Sequence, residues 1–128
     1  DSNVIVPTTG EIAMFTTYAL IVFAIAALGG LFLASHVLRG KFAPWAVSIL
    51  HALLGATGLV LLLLQVMQGN AAGRVVGALG LLVVAALGGF YLAALHGRKT
   101  LPPKGVVMLH AGLAVAGFLV LLSAVLAA

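Results

Sequence analysis

The sequence predicts an all-α integral membrane protein, a four-helix transmembrane bundle made of two tandem helical hairpins. Three observations predict it. Of 128 residues, 64% are hydrophobic and only 6% charged, where a soluble domain carries about 25% charged residues. Four apolar segments each reach the roughly 20 residues that a membrane span needs. The chain also matches itself at an offset of 59, as residue 85 repeats residue 26. The whole chain, 1–128, is one domain, with repeat 1 over about 12–67 and repeat 2 over about 74–127. Mean hydropathy is +1.33.

The first span is expected from Ile12 to Leu38, after Asp1 and Glu11. It lacks the basic start of a secretory leader, and its glycine pattern recurs later, so it is read as a true span. Arg39 to Pro44 connects it to the second span, Trp45 to Met67. Gln68 to Arg74, with Gly69, Asn70 and Gly73, leads to the third, Val75 to His96. Gly97 to Gly105, with Pro102 and Pro103, leads to the fourth, Val106 to Ala127. Connections this short make sequential helices antiparallel neighbours.

Six Lys and Arg stand against two Asp and Glu, a net charge of +4. Arg39, Lys41, Arg98, Lys99 and Lys104 fall at one end of the bundle and Arg74 at the other. The positive-inside rule therefore puts loops 39–44 and 97–105 in the cytoplasm and both termini outside. A bacterial inner membrane is the expected location. Topology and lipid headgroups account for the basic residues, and no nucleic-acid partner is expected. The absence of cysteine excludes disulfides, thiolate catalysis and iron–sulfur or zinc–thiolate sites. No carboxylate is expected within the spans, which argues against a carboxylate proton relay or hydrolase. No nucleophile motif or phosphate loop is present.

The repeat needs no gap. Ala26-Ala27-Leu28-Gly29-Gly30 returns as Ala85-Ala86-Leu87-Gly88-Gly89, and Leu50-His51-Ala52 as Leu109-His110-Ala111. Arg39 falls on Arg98, Pro44 on Pro103 and Gly58 on Gly117. Apolar bias explains chance Leu and Ala matches, but not Arg, Pro and His in one register. Two hairpins of the same orientation imply a pseudo-twofold axis along the membrane normal.

Four histidines lie toward the basic end. His51 and His110 occupy the same repeat position, about seven residues or roughly 10 Å into their helices. They can face one axial ligand symmetrically. His36 aligns with Leu95, and His96 with Val37. One residue is about 100° of helix rotation, so these two cannot approach the axis from equivalent geometry. Either they ligate in an unlike way or they are interfacial polar residues. His51, Gly55 and Gly58 share one stripe, and His110, Ala114 and Gly117 the matching one. Small residues beside an inward histidine leave space for a flat macrocycle. Two imidazoles can then supply both axial ligands of haem iron, with Arg39 and Arg98, beside Lys41 and Lys99, pairing with propionates. Gly29-Gly30 and Gly88-Gly89 read as helix-packing positions, Trp45 and Tyr91 as belt or core aromatics, and Gln65 and Gln68 as solvated residues near a helix end.

Ser48-Ile49-Leu50-His51-Ala52-Leu53-Leu54-Gly55, with a Leu-rich run ending at Gln65, resembles a stretch of the cytochrome b561 family. Val107-Met108-Leu109-His110, followed by Ala114 and Gly117, is a weaker echo. The resemblance covers helices 2 and 4. It implies a membrane four-helix core that holds b-type haem through paired histidines, with His51 and His110 as one axial pair. That family usually holds a haem near each membrane face, and here no histidine lies near the outer face. One haem b is expected. A second would use His36 and His96.

The function expected is that of a b-type cytochrome passing electrons, with a quinone, a redox protein or a larger membrane complex as partner. It would be an electron-transfer component rather than a stand-alone catalyst. The alternatives are a subunit binding chlorophyll-type pigment, a cofactor-free scaffold, and a transporter or sensor holding a divalent metal on all four histidines.

Overall fold

The computed structural model describes residues 9–69 and 71–128, with side chains from Met14 onward. Four helices account for nearly all of them: α1 (Thr9–Val37), α2 (Trp45–Met67), α3 (Gly73–Gly97) and α4 (Lys104–Leu126). No strand occurs among the described residues. Each helix is long and apolar enough to cross a membrane. A 23-residue helix such as α2 extends about 35 Å, more than the hydrocarbon thickness of about 30 Å.

The starts of α2 and α4 follow from proline. Pro44 and Pro103 sit just before them with ψ of 134°, and their carbonyls accept the first helical N–H bonds, from Val47 and Val106 at 3.1 Å. Helix α4 therefore begins at Lys104, two residues ahead of the expected Val106. Helix α1 begins at Thr9, so Glu11 lies in its first turn rather than before it. Asp1 lies outside the described residues.

The ends of α1 and α3 repeat one device. The Lys41 N–H donates to the His36 carbonyl at 2.9 Å, and 59 positions on the Thr100 N–H donates to the Leu95 carbonyl at 3.0 Å. Such a cap needs a left-handed residue just before the donor. Gly40 supplies it at φ 75°, and Lys99 supplies it at φ 53°.

Helices α1 and α2 pack as one hairpin and α3 and α4 as the other, and the α1–α4 and α2–α3 seams close the bundle. Helices α2 and α4 thus stand at opposite corners. The core is built from repeat-equivalent pairs. Ala19 and Ala78 are fully buried, as are Leu62 and Leu121. The Phe23 ring lies where a Cβ on Gly58 would fall, 2.6 Å away, and Leu82 lies 2.7 Å from the same point on Gly117. These glycines let the two helices of each hairpin approach, as small residues do in membranes. Outside, Leu28 and Leu87 are each more than 60% exposed. A surface of this kind belongs against acyl chains.

One polar pair breaks the symmetry. The Thr16 hydroxyl donates to the Gln65 amide oxygen at 3.2 Å, and Gln65 is only 1% exposed. The expectation of a solvated Gln65 is corrected, because α1 extends past this level and places Thr16 against it. The second repeat carries Val75 and Ala124 at these positions.

Candidate histidine site

His51 reaches across its hairpin to α1, and its Nδ1–H donates to the Ala26 carbonyl oxygen at 2.8 Å. His110 does the same from α4 to the Ala85 carbonyl of α3, at 2.7 Å. A helical carbonyl already accepts the N–H four residues on, here that of Gly30 or Gly89. With no Cβ on that residue, the second lone pair is open to the imidazole. A Cβ on Gly30 would stand 3.0 Å from His51 Cε1, and one on Gly89 would stand 3.0 Å from His110 Cε1.

The two imidazoles meet across the bundle, with ring centres 6.3 Å apart and planes at 83°. A carbonyl can only accept, so each Nδ1 carries the proton. In the neutral ring the lone pair is then on Nε2. Both rings are half-buried, at the end of the packed core that faces the basic loops.

His36 and His96 behave differently. The His36 Nδ1–H donates back to the Phe32 carbonyl of its own helix at 2.9 Å. Its ring lies 4.5 Å from that of Phe32. His96 faces α2, stacked on Trp45 at 4.0 Å and 6°, with Phe42 beyond at 6.0 Å. Its Nδ1 lies 3.0 Å from the Ser48 hydroxyl. The four histidines do not converge. Among the described residues no group of three or more His, Asp or Glu is placed to hold a metal ion, so the four-histidine metal site does not form.

Of the glycines read as clearing space for a ring, Gly55 does face open space. Gly58 and Gly117 are corrected, since Phe23 and Leu82 already fill the space beside them. Arg39 and Arg98 are exposed at the basic end, and the Arg39 Nε–H donates to the Ser35 carbonyl at 2.7 Å. Of the imidazole seats, Gly30 and Gly89 read from sequence as packing positions, and Ala26 and Ala85 only as part of the repeat match. The available signal was spacing: Ala-Ala-Leu-Gly-Gly begins 25 residues before each histidine.

No protein-family model, no curated protein and no solved structure matches this chain.

Proposed function

We propose that the chain is a membrane b-type cytochrome, resembling the cytochrome b561 family, in which His51 and His110 would hold one haem b between them. The observation that carries this reading is the matched pair of imidazoles, each held through Nδ1–H by a backbone carbonyl and facing the other at 6.3 Å.

Metal–imidazole bonds are about 2.0–2.1 Å, and a ring nitrogen lies about 1.1 Å from its ring centre, so two imidazoles sharing one metal in line stand about 6 Å apart. Two protein nitrogens are too few for a bare divalent ion, which takes four to eight ligands. They suit a metal that brings four in-plane nitrogens of its own. Bound haem would supply a one-electron redox couple.

The chain's own residues do the rest. The Ala26 and Ala85 carbonyls fix the tautomer and orient each ring, and such partners raise ligand basicity. The apolar helices exclude water. Arg39 and Arg98 stand at the level where carboxylates of the haem edge would pair with them. With the basic loops cytoplasmic, the site lies nearer the cytoplasmic face of a bacterial inner membrane. A single haem there does not carry electrons across the bilayer. A quinone, a redox protein or a larger complex is its partner in this reading.

The test is a reduced-minus-oxidised visible spectrum of detergent-purified protein, with pyridine haemochrome quantitation. A sharp α-band and one haem per chain are expected. A long-wavelength magnesium-macrocycle band, or no chromophore, would overturn the reading.

A further inference from the structure

Loops 39–44 and 97–105 both close a hairpin at the basic end, but they place their lysines differently. The first keeps glycine in the left-handed position, Gly40 at φ 75°, and puts Lys41 after it. The second puts Lys99 in that position, at φ 53°, and Thr100 after it. A left-handed backbone suits glycine and strains a residue that carries a Cβ. Glycine makes the same cap in the first hairpin, so capping does not require a lysine at 99. Topology requires only positive charge somewhere in the loop, and a lysine at 100 would supply it without strain. Residues held in such conformations gather at functional sites.

The surroundings of Lys99 are equally one-sided. Its N–H donates to the His96 carbonyl at 3.0 Å. The His96 ring is stacked on Trp45 at 4.0 Å, with Phe42 beyond at 6.0 Å. Trp45 also lies 3.9 Å from where a Cβ on Gly97 would stand. The start of α2 is thereby fixed against the end of α3. Lys41 adjoins Phe42, and Arg98 and Lys99 follow Gly97. Three exposed cations thus border an aromatic pair, in which Phe42 is 46% and Trp45 48% exposed. On the α4–α1 seam the positions of Phe42 and Trp45 hold Leu101 and Lys104, and that of His96 holds Val37. No Asp or Glu occurs from residue 12 to 128, so no carboxylate neutralises the cluster.

We propose that this corner of the α2–α3 seam seats the headgroup of one anionic phospholipid, with its phosphate among Lys41, Arg98 and Lys99 and its glycerol against Trp45. Helix α2 exceeds the hydrocarbon thickness, so its first residue stands at headgroup depth, where indole rings favour the interface. Basic pockets between helices at a membrane face take anionic headgroups. Arginine grips phosphate through paired N–H donors, and lysine acts as a point charge. Ile49, one turn further along α2 and 54% exposed, continues the same face toward the acyl chains. Diffuse attraction of anionic lipid to the basic end would not distinguish the two seams, whereas a seat does. The seat does not depend on haem.

The test is a lipid titration of delipidated, detergent-purified protein followed by native mass spectrometry. Phosphatidylglycerol is compared with phosphatidylcholine of the same acyl chains, and inorganic phosphate is the competitor. One phosphatidylglycerol per chain binds first and more tightly than phosphatidylcholine, and phosphate does not displace it. Lys99→Gly, which copies Gly40, weakens that binding about fivefold, the factor for one lysine near an anionic headgroup. Its thermal unfolding in lipid-free detergent comes no earlier than that of the wild type, because glycine suits the left-handed backbone. Arg98→Gln weakens binding as well, while Lys104→Gln on the other seam leaves it nearly unchanged. Equal affinity for the two lipids, displacement by inorganic phosphate, or equal losses from Lys99→Gly and Lys104→Gln would overturn the proposal.

Discussion

The rings of His51 and His110 stand with their centres 6.3 Å apart and their planes crossed at 83°. If the pair holds haem as proposed, imidazoles crossed at this angle would load the two available iron orbitals almost equally and leave them nearly degenerate. The oxidised protein is therefore expected to give a highly anisotropic low-spin electron paramagnetic resonance signal at large g. A well-resolved rhombic signal would mean near-parallel rings and contradict the geometry.

Gly30 and Gly89 are predicted to be the most sensitive positions outside the histidines. At 3.0 Å from an imidazole carbon, an alanine Cβ moves the ring by a few tenths of an ångström. Gly30→Val or Gly89→Val displaces it from its carbonyl. The alanine variants should shift the haem spectrum slightly, and the valine variants should lose haem while keeping their helical circular dichroism. Full haem content in Gly30→Val would show that the glycine seat is dispensable.

Gly58→Ala forces a methyl into the Phe23 ring at 2.6 Å. Overpacking of this kind costs about 1–3 kcal/mol. Thermal unfolding in detergent should occur earlier, and Phe23→Leu, which copies the second repeat at Leu82, should restore part of the loss. The haem spectrum should not change, because Gly58 belongs to the core rather than to the ring site.

Much of this was legible in sequence. The four spans and the hairpin order followed from apolar run length. The histidine pair followed from the 59-residue offset, because His, Arg and Pro do not align by composition. The seats at Gly30 and Gly89 were not legible, since a small residue in a membrane helix looks the same whether a helix or an imidazole lies against it. Gly58 and Gly117 were misread for the same reason. The stack of Trp45 on His96 depends on how one hairpin docks on the other, which no local pattern encodes. Gln65 looked solvated because it is near a helix end, and the packing of α1 against α2 is what brings Thr16 to it.

That Thr16–Gln65 pair gives a further prediction. Interhelical hydrogen bonds in membranes contribute about 0.6 kcal/mol on average, but an amide left without its partner in a buried site costs about 1–3 kcal/mol. Thr16→Val should therefore destabilise the bundle by that larger amount. The double variant Thr16→Val with Gln65→Ala, matching Val75 and Ala124 of the second repeat, should be more stable than Thr16→Val alone. Additive losses in a double-mutant cycle would show that the two side chains are not coupled.

The most direct measurement of the central claim is the reduced visible spectrum of the four single histidine variants beside the wild type, at matched protein concentration. His51→Ala and His110→Ala should each abolish the low-spin α-band to the same extent, while His36→Leu and His96→Leu retain it. Retention of the band in both His51→Ala and His110→Ala, or equal loss in all four variants, would contradict a single haem held between His51 and His110.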